Sequence, residues 1–520
     1  MSLLTLSSFH MKISLFMAVV LGAFSACALP PLYFWPFLSI GMLGLFKMLE
    51  PLPLIKGLCV FFAWCFGFFL VGFYWITLSM YVELDKFWFL IPFCFVIIPI
   101  VFACIHVGLL AAILSFFSIS NFGTLAAFLS FILSWSLAEW VRGSLVFGGI
   151  PWNFFAHIWG ENLFIMQTVS VIGSYGLSVL TLFFLSIPYL WAAKTLSFRV
   201  RLSFTGALTF IIFVISFWGH QRMKPLTYHA KPWIRLVQPN ISQKDKMNPD
   251  KTSSILTTLT TLTQLPSKKP LTHILWPEAA FPFWCEGSQK IGVPLPIRFP
   301  QTLITGVMRR ERHKLHNSLV VVRHNGELTH IYDKYHLVPF GEYIPGRNWL
   351  PLGHIKALTL DRHDFTPGPH IKTFYTGNLP PFSPLICFDT AFSNHVAQTL
   401  KRPHWLLELT NNAWFGESWG LYQHLDIGRL RAIEEGVPLV RVTNTGISCL
   451  VSPYGQVLKQ LPISSQGVID FALPKPLEPT LFQTLGYTCF WLSCALLFLT
   501  ILWQTTPITK KRRRLRKKIS

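Results

Sequence analysis

Three short segments of this 520-residue chain carry residue types that could do covalent chemistry together. In 273–280 (HILWPEAA) an apolar run ends in Trp276-Pro277-Glu278. In 331–345 (IYDKYHLVPFGEYIP) Lys334 follows a strand-like run and Glu342 stands eight residues later. In 384–392 (PLICFDTAF) Cys387 closes another apolar run. A thiol of ordinary pKa, ~8.5, is mostly protonated at neutral pH, so a nucleophilic cysteine needs a neighbouring base or cation. A carboxylate can take the proton, and an ammonium can stabilise the oxyanion that follows attack on a carbonyl. Separations of 56 and 53 residues let Glu278, Lys334 and Cys387 come from three different strand ends of one domain. Singly, each has a plain reading: a core cysteine, and a solvated lysine or glutamate. The combination carries the weight.

Elements able to position them are legible around them. Short β-rich runs recur at 233–237, 303–307, 318–322, 384–388, 406–409 and 439–443, with a helical run at 422–435 ended by Gly436. Near-continuous apolar strands alternating with helices predict an α/β layered domain with buried strands.

The rest of the chain is of another kind. Hydrophobic residues make up 52% and charged residues 13%, against about 25% charged in a soluble domain. That excludes a disordered chain, a fibrous repeat and a freely soluble enzyme, and predicts an integral membrane protein. Only 13 charged residues lie in 1–219, 46 lie in 220–480, and the last eight, all basic, fall between Lys510 and Lys518. The organisation expected is a membrane bundle over 1–219 with about seven helices, a water-exposed domain over 220–480, and an eighth helix with a basic tail over 481–520. The net charge of +21 invites a nucleic-acid partner. The basic cluster beside an apolar span instead reads as a tail held in the cytoplasm, and no nucleic acid is expected.

A spanning helix needs ~20 mostly uncharged residues. The run 13–46 is divided by Pro30-Pro31 into two short spans, and 57–82 gives a third. The run 87–138 is divided at Ser118-Ile119-Ser120-Asn121, and 162–193, 202–221 and 481–509 complete eight. Lys47 and Lys56, then Lys194, Arg199 and Arg201, fall on one side together with the tail. By the positive-inside tendency that side is the cytoplasm, so 220–480 faces outward and the N-terminus, with Lys12, faces inward. Phe24-Ser25-Ala26-Cys27 resembles the end of a signal peptide before a lipid-modified cysteine. The Pro-rich turn and second span that follow favour an ordinary first helix. Seven of the ten cysteines lie in spans, where Cys acts as a small hydrophobe. The outer domain has only Cys285, Cys387 and Cys449, an odd number that argues against a disulfide framework. No CxxC or HExxH pair occurs, so neither metal nor cofactor is expected.

The Glu, Lys and Cys contexts together resemble the nitrilase superfamily. The flanks narrow this. Trp276-Pro277-Glu278, the segment 334–342 (KYHLVPFGE), Asn412-Ala413-Trp414-Phe415-Gly416, Gln423-His424, Arg429-Leu430-Arg431-Ala432 and Thr443-Asn444-Thr445-Gly446 look like the apolipoprotein N-acyltransferase family. So do Glu139-Trp140-Val141-Arg142-Gly143 and Gly149-Ile150-Pro151-Trp152 in the membrane half. The resemblance covers nearly the whole chain. It implies a polytopic helical bundle with an αββα nitrilase-like domain in the periplasm of a bacterial inner membrane, and a monomer. It also implies a reaction: Cys387 attacks an acyl ester of a membrane phospholipid, and the thioester then acylates the N-terminal amine of a diacylglyceryl-modified apolipoprotein. Glu278 is the expected base and Lys334 the oxyanion partner. Glu342 and Asp389 are expected in support, and Phe388, Trp414, Phe415 and Arg142 as substrate contacts, with 281–284 (FPFW) lining an apolar portal. Three positions depart from the family: Asp389 stands where Glu is usual, Asn412 where Asp is common, and Met247 where Trp is expected. A membrane-tethered nitrilase-type amidase and a non-catalytic membrane scaffold are the alternatives.

Overall fold

A computed structural model describes residues 3–192, 197–287, 290–292, 294–347, 364–377, 379–393 and 401–506. The basic cluster 510–518 and Lys194 lie outside them. The chain divides into two compact units, Met1–Arg222 with Leu485–Ser520, and Met223–Thr484.

The first unit is helical. Among the described residues, seven helices are long and apolar enough to cross a membrane: His10–Ala28, Leu54–Val82, Trp88–Phe116, Leu125–Ser144, Val169–Ala192, Phe198–Arg222 and Thr488–Thr505. The break expected at 118–121 falls between two of them. The second span expected from the sequence is shorter than the others, a 15-residue helix Trp35–Leu49. Its rise is about 22 Å, below the ~30 Å of a hydrocarbon core, because Pro30 and Pro31 end one helix and Pro51 and Pro53 bracket the next turn. Helices here pack through small residues. A Cβ on Gly22 would lie 2.0 Å from Trp64 O, and one on Gly67 would lie 2.1 Å from Val19 O. The first helix and Leu54–Phe73 therefore touch backbone to backbone, the contact that small residues permit between membrane helices.

The second unit is built on two sheets. In chain order the strands are β1 Tyr228–Gln238, β2 His273–Leu275, β3 Trp284–Glu286, β4 Thr302–Glu311, β5 Lys314–Arg323, β6 Leu328–Asp333, β7 Phe382–Ile386, β8 Trp405–Thr410, β9 Leu439–Thr443, β10 Cys449–Val451, β11 Val457–Gln460 and β12 Gly467–Pro474. One sheet runs β12-β1-β2-β4-β5-β6, with β3 also on β4; the other runs β11-β10-β9-β8-β7. Parallel pairs β1–β2–β4 and β7–β8–β9 form the middles, and antiparallel strands extend both sheets.

Side-chain alternation makes the layers. Leu275, Ile304, Leu319 and Val321 join Leu407, Leu409 and Val440 in the core between the sheets. Their neighbours Ile274, Leu303, Val320 and Val322 point the other way, onto Ile255, Leu259 and Leu262 of the helix Thr252–Gln264. A one-residue register slip would exchange these two sets, so both buried faces fix the pairing. On the far sheet the helix Trp419–Glu435 adds Leu425 and Ala432 to the core, and it ends at Gly436 with φ 64°, as a left-handed helix cap favours. The order is helix, sheet, sheet, helix. All ten cysteines are free thiols.

Candidate active site

Three strand ends bring the candidate residues together. After β2 the chain turns through Trp276, buried, whose Nε1 donates to Thr263 Oγ1 at 2.9 Å. The next turn lies against β4, where Gly306 N donates to Pro277 O at 3.1 Å. A Cβ on Gly306 would sit 2.6 Å from Glu278 Cα and 2.4 Å from Ala279 N. Glycine at 306 is what lets the Glu278 turn run along the sheet.

Glu278 is buried, and both of its carboxylate oxygens are held. Oε1 accepts from Asn317 Nδ2 at 2.7 Å and Oε2 from the Asn411 backbone N–H at 2.7 Å. Lys334, directly after β6, is buried with its Nζ 3.6 Å from Glu278 Oε1. It donates to Glu342 Oε1 at 2.9 Å. Glu342 also accepts from Asn317 Nδ2 at 3.1 Å and from Val338 N at 2.7 Å. Burial works against the Lys334 ammonium, but Glu342 and Glu278 outweigh it and hold its pKa above the ordinary lysine value. The lysine is a fixed cation between two carboxylates.

Cys387 follows β7 with φ 49°, and a short turn Cys387–Ala391 begins there. Left-handed backbone at a non-glycine residue is costly and persists only where its surroundings impose it. Asp389 imposes it here. Fully buried, it accepts from Ile386 N at 3.0 Å, His336 N at 2.7 Å and Tyr332 OH at 2.9 Å. One carboxylate thus ties the Cys387 turn to β6 and to the segment carrying Lys334. Both oxygens of the Asp389 carboxylate are engaged. Cys387 keeps part of its surface open, yet burial of the sulfur and the Glu278 charge push the thiol up to about 12, against the downward pull of Lys334 and of a Thr410 hydrogen bond. The resting group is a thiol, and its activation needs a base.

Glu278, Lys334, Glu342 and Cys387 therefore converge, with Asp389 behind them. Phe388 is buried, its ring centroid 5.2 Å from that of Phe392. Trp414 and Phe415 are half-buried on the turn Asn412–Phe415. In 281–284, Phe281 is core whereas Phe283 and Trp284 are exposed. Arg142 belongs to the helical unit. It is fully buried, donates to Ile150 O at 2.9 Å and Trp152 O at 2.6 Å, and sits 5.3–5.8 Å from the rings of Phe69, Phe73, Phe102 and Phe154. Its neighbour Glu139 accepts from Trp135 Nε1 and Phe155 N.

Sequence reasoning overlooked the polar residues that aim the site. Asn317, in mid-β5, bridges Glu278 and Glu342. Asn411 donates its amide N–H to Glu278, and its Nδ2 donates to Gln243 Oε1 at 2.8 Å. Lys246 Nζ donates to the Glu278 carbonyl at 3.1 Å, and burial brings its pKa down to about 8 despite the Glu278 charge. In the sequence Asn317 lies in a polar stretch, His316-Asn317-Ser318, that does not mark it out.

The sheets and this cysteine site place the second unit in the carbon–nitrogen hydrolase class, and residues 234–477 match the carbon–nitrogen hydrolase family model. Residues 21–187 match the apolipoprotein N-acyltransferase N-terminal domain. The chain belongs to the apolipoprotein N-acyltransferase family. Apolipoprotein N-acyltransferase of Rhodopseudomonas palustris is 31% identical over 94% of this chain and 95% of the relative. That of Bradyrhizobium diazoefficiens is 31% identical over 90% and 91%, and that of Rickettsia bellii 32% over 81% and 84%. Among solved structures, a CN-hydrolase superfamily protein of Xanthomonas campestris is 18% identical with a TM-score of 0.34, over 48% of this chain and 91% of the other.

Proposed function

We propose that the protein transfers an acyl chain from a membrane phospholipid to the N-terminal amine of diacylglyceryl-cysteine in apolipoproteins. The observation that carries this is full-length similarity to proteins named for that reaction, including a match to the family's own N-terminal membrane domain. An amidase would need only the second unit.

In the reaction, Glu278 takes the Cys387 proton as sulfur attacks the acyl carbonyl, and Lys334 faces the oxygen that becomes negative. The proton passes to the leaving alkoxide as lysophospholipid departs, and the acyl group rests on sulfur. Glu278 then takes a proton from the incoming ammonium, its nitrogen attacks the thioester, and Cys387 leaves as the thiol. Glu342 and Asn317 hold Lys334 and Glu278 at their working separation. A membrane-embedded enzyme suits these substrates, since exposing acyl chains to water costs about 0.8 kcal/mol per CH₂. The test is direct: purified protein should move a labelled acyl chain from phospholipid onto a diacylated lipopeptide amine, and absence of transfer would overturn the reading.

The same reading places the protein in a bacterial inner membrane, with Trp35–Leu49 counted as a crossing and residues 220–480 in the periplasm. Ser267 and Ser197 are both exposed, on the second unit and before the helix Phe198–Arg222. With the outer membrane permeabilised, Ser267→Cys should react with an impermeant thiol reagent and Ser197→Cys should not. The opposite pattern would reverse the orientation.

A further inference from the structure

Behind Cys387 lies a buried polar system that the proposed steps do not use. Arg441 on β9, Glu408 and Thr410 on β8, Asn412 just beyond β8, and His424 on the helix Trp419–Glu435 are each at most 1% exposed. Arg441 Nη1 donates to Glu408 Oε1. Its Nη2 lies 2.9 Å from His424 Nδ1 and 3.4 Å from Asn412 Oδ1. A guanidinium can only donate, so His424 Nδ1 must be the bare nitrogen and Nε2 must carry the hydrogen. Burial, and then Arg441 itself, hold the imidazole pKa well below its ordinary value, which keeps that tautomer neutral. The Nε2–H points at the Cys387 carbonyl, 3.3 Å away, and at Glu408 Oε1, 3.2 Å away. Along the other route, Asn412 Oδ1 accepts from Thr410 Oγ1 at 2.8 Å, and Thr410 is hydrogen-bonded to the Cys387 thiol.

The directions on this second route follow from what each atom can do. The Thr410 hydroxyl has one hydrogen, and Asn412 Oδ1, an acceptor only, takes it. While the sulfur is a thiol, the Thr410 oxygen is therefore turned to it as an acceptor. When sulfur loses its proton, the Thr410 hydroxyl can swing from Asn412 Oδ1 to the thiolate, while Arg441 Nη2 continues to donate to that oxygen. The receiving amide oxygen is not left bare.

We infer that Arg441 anchors two hydrogen-bond arms that position the nucleophile, one through His424 to the Cys387 carbonyl and one through Asn412 and Thr410 to its sulfur. The inference rests on Cys387 being the nucleophile. Thr410, His424 and Asn412 are positioning residues: they touch Cys387 or one another. The first arm holds the left-handed turn at Cys387 from below. The second presents a hydroxyl that is an acceptor while the sulfur is a thiol and a donor once it is a thiolate. The charged groups otherwise facing that sulfur are Glu278, Lys334 and Glu342, and none of them changes in a Thr410 variant.

The test reads the thiol itself. Iodoacetamide forms a carbon–sulfur bond with the thiolate and releases iodide, so its rate at Cys387 follows the thiolate fraction. The full-length protein in detergent is alkylated across a pH series, and the Cys387 peptide is quantified by mass spectrometry. Thr410→Val should shift the profile to higher pH and slow alkylation about tenfold at a fixed pH, the order expected for one lost hydrogen bond to an anion. Thr410→Ser, which keeps the hydroxyl, should restore the native profile. A thermal melt checks folding, and Thr410→Ala replaces Thr410→Val if the valine variant does not fold. An unshifted profile in a folded hydroxyl-less variant, or a Thr410→Ser profile as displaced as that of Thr410→Val, would overturn the inference. The underlying reading fails separately, by acyl transfer persisting in Cys387→Ala.

Discussion

Cys387→Ala should abolish acyl transfer, by about four orders of magnitude or more, in a protein that still folds. No other thiol is placed to substitute. Cys449 is fully buried on the face of the second sheet that carries Arg441 and Glu408, and burial pushes its thiol up to about 12. Cys285 is buried in the first sheet, in the layer under the helix Thr252–Gln264. Cys285→Ala and Cys449→Ala each remove one buried sulfur and should cost about 1–2 kcal/mol of stability, with most activity kept. Cys387→Ser tests a finer point. It keeps the attacking geometry, but a hydroxyl is a far weaker acid than a thiol, and Glu278 would have to remove a proton that water itself barely releases. It too should be inactive, and it should bind phospholipid without releasing lysophospholipid. The measurement is transfer of labelled acyl chain with a melting curve for each variant. Equal loss in Cys285→Ala, Cys449→Ala and Cys387→Ala would remove Cys387 from the mechanism.

The strands that carry the site were legible because they are buried on both faces and mostly apolar. Runs at 303–307, 318–322, 406–409 and 439–443 sit inside β4, β5, β8 and β9, and burial between a second sheet and a helix is what makes a strand read as an unbroken apolar run. Strands β10 to β12 escaped notice. Val457–Gln460 is half exposed and Cys449–Val451 is three residues long, too little for a periodic signal. Among the site residues, Glu278, Lys334 and Cys387 stood out because each closes an apolar run. Their supports did not, because an amide or hydroxyl has no signature until its partner is known. Asn317 and Thr410 are separated by 93 positions, and β5 and β8 belong to different sheets. Only the folded pairing makes them neighbours of one cysteine and one glutamate. The membrane half was readable by composition alone, except where prolines shorten a helix, as at Trp35–Leu49.

The two half-reactions should come apart in time. If the acyl group rests on Cys387, phospholipid alone should label the protein, hydroxylamine should remove the label, and a diacylated lipopeptide added afterwards should take it onto its amine. Steady-state rates should show the parallel-line pattern of a ping-pong mechanism. Both steps move a proton to Glu278: from the thiol in the first, raised to about 12, and in the second from an ammonium of pKa about 7.7–8.0 in a free chain. Glu278→Gln should therefore slow label uptake and label transfer alike, each by about 10²–10⁴-fold. The substitution also turns one accepting oxygen into a donor facing Asn317 Nδ2 or the Asn411 N–H, so some loss could come from a displaced Lys334 alone. Glu342→Gln separates these effects, because it disturbs the same lysine while Glu278 stays in place. Its loss should be smaller than that of Glu278→Gln and should fall on both steps, since each passes through an oxyanion that needs the cation. Label appearing as free fatty acid at one rate, with or without lipopeptide, would make water the natural acceptor and the protein a hydrolase.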